Sequence, residues 1–455
     1  MIFNQFEFLL LFLPAVVCLF SISLLRPLRP YLLISASLLF YGFSGWEHTA
    51  VLVLDIVWVW WVVRTPAAVG GRLRLAVAIV PPFLALFYYK YLGFVLEQFV
   101  LGAAPASSGF DLFEKVILPA GISFFTFQLA AYAIDRYRGD IPDPPAFPHL
   151  ALYISLFPQL VAGPILRYHE VAAALKNIQS YAINASGAAR ALGYIVVGLG
   201  VKVLIADTLS GYISQFITDI GTIGKIGGIY VTLAYSFQLY FDFYGYSLIA
   251  IGLGALFGFS FPDNFRRPYE SLNIGEFWRR WHVTLSYWIR DYLYLPLGGN
   301  RAYKRNILIV FAVVGLWHGA GWNFVVWGLL HGLFVALHHE IREAWSAFPK
   351  ILQQVATFLL VSVLWLLFLF DFGELAQFSR AMWSNPWQAS QVLWEMWLAV
   401  AVAAAICFGP SLENIAENRK SSVALMGIRN VGFALVMAIV LVFLDRSQTF
   451  IYFRF

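Results

Sequence analysis

The sequence predicts an all-α protein that crosses a lipid bilayer many times. Of its 455 residues, 60% are hydrophobic and 12% are charged, whereas soluble proteins carry about a quarter charged residues. The mean hydropathy of +0.73 indicates that most of the chain lies in lipid. The chain also has 16 Trp, 23 Tyr and 42 Phe, and aromatic rings favour the headgroup level of a membrane. Together these observations favour a polytopic membrane protein.

The apolar runs have the length of membrane helices, which need roughly 17 to 25 residues to cross the hydrocarbon core. We expect about a dozen such helices, and the stretch from Gly228 to Phe261 is long enough to hold two of them. No soluble domain or repeat interrupts the runs, so residues 1–455 are predicted to form one membrane domain. The expected helices begin near Phe6, Tyr31, Thr49, Leu75, Val116, Leu150, Ala188, Gly228, Ile307, Trp322, Ile351, Gln391 and Val423.

The net charge of +5 does not indicate a nucleic-acid partner, because the basic residues lie in short loops between apolar runs. Arg26 and Arg29 follow the first run, and Arg136 and Arg138 follow the fifth. The positive-inside rule then predicts that these loops face the cytoplasm and that the N-terminus lies outside. The two cysteines lie inside separate apolar runs, so neither a metal site nor a disulfide framework is expected.

The most polar part of the chain is the basic segment, defined here as Asp263 to Arg305. It has eight basic and four acidic side chains and so contributes +4 to the net charge. Its spacing predicts an amphipathic helix that lies on the membrane or dips into the protein. The arginines could contact anionic lipid headgroups, or they could bind a phosphorylated donor while His282 faces a reaction chamber. The apolar face would hold Phe277, Trp281, Leu285, Trp288 and Tyr292, and the polar face Arg279, His282, Ser286 and Arg290.

The second informative feature is a glycine-rich break around His318, in the run from Gly315 to Asn323. An ionisable residue between apolar spans is costly to bury, which indicates a functional site. A neutral imidazole can accept a hydroxyl or thiol proton, as general-base acyl transfer requires. A histidine bonded between helices or a haem ligand would fit the same pattern, and His331 has the same alternatives. We expect a cavity to be narrowest beside Gly319 and Gly321.

Several motifs, taken in order along the chain, resemble the bacterial membrane-bound O-acyltransferases, and most closely the alginate O-acetyltransferase type. The resemblance implies an all-α membrane fold of about a dozen helices, with amphipathic or re-entrant helices around a central tunnel. The matching segments are MIFN with FLLLFLP near the N-terminus, LPAGISFFTFQ from Leu118, FPQLVAGPI from Phe157, QLYFDFYGYS from Gln238, FPDNF from Phe261, FWRRWH from Phe277, LGGN from Leu297, WHG from Trp317 and FIYFRF from Phe450.

The resemblance also assigns candidate residues. The family's invariant histidine falls on His318, the expected general base, and its second active-site position falls on His282, which would orient the reacting groups or stabilise the oxyanion. The same motifs supply further candidates for substrate binding. These are Arg279, Arg280, Trp317, Asn323, Tyr240 and Asp242.

The implied activity is acetyl transfer to an exopolysaccharide across the bacterial inner membrane. Acetyl-CoA would be the cytoplasmic donor substrate, with no cofactor, and its phosphates would lie near the basic segment. The expected partners are a periplasmic hydrolase-like acetyltransferase, a polysaccharide biosynthesis complex and membrane lipids. D-alanyl transfer from a carrier protein to teichoic acid is the alternative within the enzyme class. A transporter of acyl groups or polymer, without chemistry, is the alternative outside it.

Overall fold

The computed structural model describes residues 1–64, 71–101, 117–387, 391–417 and 423–451. Within those ranges every regular element is a helix, as predicted. The Cα geometry divides the chain into two compact units: unit 1 comprises Met1–Ala191 and Ala250–Pro262, and unit 2 comprises Leu192–Ile249 and Asp263–Phe455. The predicted helix start at Val116 and the last four residues of the FIYFRF motif lie outside the described residues.

Unit 1 is formed by short and long helices at the beginning of the chain. A buried guanidinium joins three of its segments, because Arg29 Nε donates to the carbonyl of Phe20 at 2.9 Å and Nη1 to that of Gln179 at 3.1 Å. The helices are α1 (Leu13–Ser21), α2 (Arg29–Gly42), α3 (Trp46–Val63), α4 (Gly71–Leu86), α5 (Leu92–Val95), α6 (Ile122–Arg138), α7 (Phe147–Ser155), α8 (Phe157–Leu160) and α9 (Tyr168–Asn177). α10 (Ala185–Leu199) is divided between the two units.

Unit 2 contains the basic segment, His318 and His331. α12 (Lys225–Leu256) is also divided between the two units, because its residues from Ala250 onward belong to unit 1. The remaining helices of unit 2 are α11 (Asp207–Ile217), α13 (Ile274–Arg280), α14 (Val283–Ile289), α15 (Tyr303–His318), α16 (Trp322–Ser346), α17 (Lys350–Leu364), α18 (Leu366–Leu369), α19 (Phe372–Ser384), α20 (Trp394–Phe408), α21 (Leu412–Glu417) and α22 (Val423–Phe443). π-helical turns continue several helices of the protein, at Glu7–Phe12, Phe87–Tyr91, Leu96–Leu101, Gly200–Ala206 and Arg290–Tyr294.

The described residues include seven helical segments that are long and apolar enough to cross a membrane, so the protein is multi-pass. An eighth is added if the bent pair Glu7–Ser21 and Ser23–Gly42, which meet at 103°, forms one span. The count of about a dozen stays a prediction. The seven segments are Trp46–Val63, Gly71–Phe99, Ala185–Ile217, Lys225–Leu256, Trp322–Ser346, Lys350–Leu369 and Gly427–Arg446.

The prediction that the stretch from Gly228 to Phe261 holds two membrane helices is wrong. One continuous helix, α12, runs through 32 residues without an internal proline. Its most apolar window is 89% buried inside the protein, so packing rather than bilayer thickness sets its length. Gly245 allows close packing, since a Cβ there would lie 2.8 Å from the carbonyl oxygen of Gly198.

The basic segment does not form the continuous amphipathic helix that its spacing predicts. α13 ends at Arg280, and His282 adopts a left-handed conformation (φ 45°, ψ 54°) before α14 begins. An earlier stretch of the chain forms backbone hydrogen bonds with the residues around this turn. Arg266 N–H donates to the Arg280 carbonyl, and Val283 N–H donates to the Asn264 carbonyl, both at 2.9 Å. These bonds replace the helical ones and turn the chain at His282.

α15 and α16 form a tightly packed helical hairpin that carries His318 and His331. A Cβ on Gly315 would lie 2.2 Å from the carbonyl oxygen of Phe324, and one on Gly328 would lie 2.1 Å from that of Phe311. Small residues at such contacts let two membrane helices approach to backbone distance. The glycines upstream and downstream of the break therefore fix the separation of the two helices.

We expect Gly315→Ala to destabilise the folded protein by about 1–3 kcal/mol, because the added methyl group overlaps backbone atoms that cannot move independently. Thermal unfolding in detergent would measure the loss. Gly211→Ala is the matched control: this glycine also lies inside a helix, and a Cβ added to it would have no neighbour within 4 Å. Equal melting temperatures for Gly315→Ala and Gly211→Ala would contradict the packing argument.

Candidate active site

His318 is the last residue of α15, and its side chain is 3% exposed. Its imidazole lies among aromatic rings, with centroids 5.2 Å from Trp327 and 5.0 Å from Phe368. Gly319 adopts an extended conformation (φ −159°) that ends the helix. Gly319 accommodates the Phe324 ring, since a Cβ there would lie 2.2 Å from it. The narrowing of a cavity beside Gly319 and Gly321 stays a prediction.

His282 lies at the turn between α13 and α14 and has no exposed surface. Its Nδ1 is 3.0 Å from Asn264 Oδ1, which also accepts a hydrogen bond from Thr284 Oγ1 at 2.9 Å. The amide nitrogen of Asn264 donates to Ser247 Oγ at 3.3 Å. Asn264 therefore holds the imidazole of His282 in a single orientation.

The Asn264 contact determines the protonation of His282. Since Asn264 Oδ1 can only accept, Nδ1 carries the proton and the lone pair lies on Nε2. Burial lowers the pKa of His282 from its ordinary value to about 3. The imidazole is therefore neutral at physiological pH, with Nε2 as a hydrogen-bond acceptor.

The structure brings His282, Trp317 and His318 together. The Trp317 ring lies 6.1 Å from the His282 ring and 4.8 Å from the His318 ring, measured between centroids. All three side chains are buried. The two predicted histidines are thus linked by one indole, although they are 36 positions apart in the chain.

A cavity of about 280 Å³, here called the arginine groove, lies beside the hairpin of α15 and α16. Arg279 and Arg290 contribute positive charge to it, and Arg290 is paired with Asp291 at 2.7 Å. Among the residues that the structure describes, Arg279 has no ion-pair partner. The full lining is Gly275, Trp278, Arg279, Leu285, Ser286, Ile289, Arg290, Tyr294, Tyr303, Ile307, Val310, Phe311, Val314 and Val335.

A second cavity in unit 2, of about 470 Å³, is lined by uncharged polar and apolar side chains and is here called the serine–glutamine cavity. Phe368, whose ring contacts His318, is part of its lining. His318 itself lines neither this cavity nor the arginine groove. The lining residues are Ser210, Ile213, Ser214, Ile217, Tyr235, Gln238, Phe368, Leu369, Gln448 and Ile451.

Three further candidates have partners within the protein. Arg280 pairs with Glu276 at 2.6 Å, one helical turn away. The side-chain amide of Asn323 donates to the carbonyl of Leu367 at 3.0 Å. Tyr240 is buried and stacks on Tyr244, with ring centroids 5.1 Å apart. These contacts give each residue a structural role, and their part in substrate binding stays a prediction.

Asp242 belongs to a buried ion network. Lys202 Nζ lies 2.6 Å from Asp242 Oδ1 and 2.5 Å from Asp207 Oδ1. Both carboxylates also accept hydrogen bonds from backbone N–H groups late in the described chain. Asp242 accepts from the Ile451 N–H at 2.7 Å, and Asp207 from the Gln448 N–H at 3.3 Å. Because Gln448 and Ile451 line the serine–glutamine cavity, this network fixes one of its walls.

Sequence reasoning missed Asn264, Trp278 and Lys202. Asn264 and Trp278 lie within the motifs FPDNF and FWRRWH, but only the folded contacts reveal what each one holds. Lys202 could have been found as a lone cation inside an apolar run, since such a charge must have a partner. Within the described ranges, no group of three or more His, Cys, Asp or Glu side chains could hold a metal ion.

Replacing Lys202 by Met should lower the free energy of unfolding by about 3–5 kcal/mol, because it leaves two buried carboxylates without their cation. Thermal unfolding in detergent, with protease sensitivity of the C-terminal segment, would measure this loss. Adding Asp242→Asn to Lys202→Met should recover part of the stability, since it removes one unpaired charge. A double variant less stable than Lys202→Met would contradict the network.

Comparison with known proteins agrees with this architecture. The model of the MBOAT, membrane-bound O-acyltransferase family matches residues 140–376. The chain is 36% identical to a probable alginate O-acetylase AlgI of Pseudomonas syringae pv. tomato, over 92% of this chain and 83% of that protein. It is 37% identical to a peptidoglycan O-acetyltransferase of Helicobacter pylori, over 75% and 71%.

A more distant relative acts on another polymer. A teichoic acid D-alanyltransferase of Bacillus subtilis is 28% identical over 50% of this chain and 60% of its own length. The family match covers more than half of the chain, and the alginate and peptidoglycan relatives extend over most of it. The chain belongs to the membrane-bound O-acyltransferase family, and the protein is a multi-pass membrane O-acyltransferase.

Proposed function

We propose that the protein transfers an acetyl group from cytoplasmic acetyl-CoA toward an exopolysaccharide, with His318 as general base, in the inner membrane of a bacterium. A periplasmic hydrolase-like acetyltransferase would complete the transfer to sugar as part of a polysaccharide biosynthesis complex. The observation that carries this proposal is the position of His318, one aromatic ring away from the serine–glutamine cavity. The alginate and peptidoglycan relatives support a polymer as the final acceptor.

The arginine groove suits the donor. Acetyl-CoA combines phosphates with a long, weakly polar pantetheine arm, and the groove combines Arg279 with aromatic and aliphatic walls. Charge-assisted contacts between arginine and phosphate are strong hydrogen bonds. Arg279 is better suited than Arg280 for this role, because Arg280 is already paired with Glu276.

The reaction requires one proton acceptor and one hydrogen-bonding partner for the nucleophile. His318 would take the hydroxyl proton as the oxygen attacks the thioester carbonyl. The C–S bond then breaks, and the CoA thiolate takes up that proton from His318. No cofactor or metal is needed, and the acetyl group moves intact from sulfur to oxygen.

Of the two roles expected for His282, orienting the reacting groups fits its contacts better than stabilising the oxyanion. A neutral imidazole whose only N–H is bonded to Asn264 has no donor left for an oxyanion. Its Nε2 can instead accept a hydrogen bond from an amide N–H of the donor, while the proton of the attacking hydroxyl goes to His318. We therefore assign His282 to orienting the reacting groups.

The serine–glutamine cavity suits a neutral, hydroxyl-rich acceptor. Its serine and glutamine side chains can both donate and accept hydrogen bonds, as a sugar or a serine hydroxyl requires. D-alanyl transfer is the second candidate, supported by the similarity to the teichoic acid enzyme. The donor substrate distinguishes acetyl transfer from D-alanyl transfer, because D-alanyl transfer uses an aminoacyl carrier protein instead of acetyl-CoA.

His318→Ala should reduce acetyl transfer from labelled acetyl-CoA by about 10²- to 10⁴-fold while the protein stays folded and membrane-inserted, because a positioned general base is lost. His169→Ala, which removes an exposed histidine of α9, is the matched control and should keep its activity. Near-normal transfer by well-expressed His318→Ala would refute the assignment. Turnover with aminoacyl carrier protein alone would favour D-alanyl transfer.

Arg279→Gln should raise the KM for acetyl-CoA by about tenfold, and more at low salt, because one phosphate contact is lost. Arg280→Gln is the matched control: it removes the same charge from the next residue, where the guanidinium is paired with Glu276. Steady-state kinetics at two ionic strengths would compare them. Unchanged donor KM in Arg279→Gln, with altered membrane association, would assign the helix to lipid headgroups.

A further inference from the structure

His331 occupies the centre of an aromatic cluster beside the arginine groove. The residue has no exposed surface, and its ring lies 4.7 Å from Trp327 and 5.2 Å from Trp278, measured between centroids. The indole Nε1–H of Trp278 donates to His331 Nδ1 at 3.1 Å. This bond joins α16 to α13 at the wall of the groove.

The bond determines the state of the imidazole. An indole nitrogen can only donate, so His331 Nδ1 presents its lone pair and the ring proton lies on Nε2. That Nε2 is buried and has no hydrogen-bond partner among the described residues. A buried N–H without a partner is destabilising, and a leucine or phenylalanine would fill an aromatic cluster without this cost. What the histidine adds, and a leucine or phenylalanine could not, is the acceptor for the indole N–H of Trp278.

Trp278 forms part of the wall of the arginine groove. The residue is partly exposed there. Its ring packs edge-on against Phe311, at 5.1 Å, and against Trp327, at 5.7 Å. The hydrogen bond to His331 is the directional contact of the indole, and it selects one orientation of the ring. Arg279 follows directly in the chain, so the indole sets the width of the groove beside this arginine.

We infer that His331 is a positioning residue for the donor: it holds Trp278 as the wall of the arginine groove against which the pantetheine arm packs. The inference rests on the proposed acetyl transfer, which it deepens. His331 acts through Trp278 and contacts neither the donor nor the acceptor. Its loss should therefore weaken donor binding more than it slows the chemical step.

Steady-state kinetics with acetyl-CoA test this assignment. His331→Leu should raise the donor KM by about three- to tenfold, the range for one lost hydrogen bond, with kcat changed less than about twofold. His331→Asn should restore most of the affinity, because the asparagine Oδ1 can take the place of Nδ1. Trp278→Phe should reproduce His331→Leu, and combining the two should add no further effect.

Three results would overturn the inference. These are equal defects in His331→Asn and His331→Leu, additive effects in the double variant, and a loss of kcat at unchanged KM. The last result would indicate an effect through Trp327, whose ring contacts both His331 and His318. If His331→Leu does not fold, Trp278→Phe and His331→Asn still give opposite predictions for the KM.

A readout without substrate separates this inference from the proposed function. In a chain with Cys18 and Cys407 replaced by Ser, Ile307→Cys places one thiol in the arginine groove. Its rate of maleimide labelling should change several-fold with His331→Leu and return with His331→Asn. Absence of acetyl-CoA turnover by the wild-type protein would refute the proposed function only. Identical labelling rates in all three chains would refute the role of His331.

Discussion

The close approach of α15 and α16 is the contact on which the site depends. Gly315 and Gly328 bring the two backbones together, and the hairpin they form carries His318 on one helix and His331 on the other. Trp327 lies between them, with its ring against both imidazoles. Trp327 and His331 lie on the same helix, so a wider helix separation would remove the contact between Trp327 and His318. Packing at the glycines is thus a condition for the position of His318.

Buried polar groups need hydrogen-bond or ion-pair partners, and this need explains the contacts of His282, His331 and Lys202. Away from water, each imidazole or charge needs a partner with fixed geometry, because an unpaired polar group is costly there. Asn264 supplies that partner for His282, and Trp278 supplies it for His331. Lys202 does so for two carboxylates, which in turn bind the end of the described chain. In each case one hydrogen-bond or ion-pair partner determines the orientation or charge of a buried group.

The sequence indicates which residues are candidates for this site more directly than it indicates their geometry. The glycine-rich break indicates His318, and the family motifs indicate His282, because both signals depend on neighbouring residues in the chain. The break between α13 and α14 could not be predicted in this way. It arises from backbone bonds to residues 264 and 266, which a helical pattern around Trp281 does not reveal. The prediction that the stretch from Gly228 to Phe261 holds two helices was wrong for a related reason. Hydropathy cannot distinguish burial inside the protein from burial in lipid, and a helix buried inside the protein can be longer than one span.

The burial of His318 has a consequence for how acyl transfer is protected from water. A thioester next to a base in open solvent would be hydrolysed, and exclusion of water from the site prevents that side reaction. His318 is 3% exposed and is separated from the serine–glutamine cavity by the Phe368 ring. In the proposed mechanism, an acceptor hydroxyl that enters from this cavity would reach the imidazole only after this ring is displaced. Between transfers the ring would keep water in the cavity away from the base.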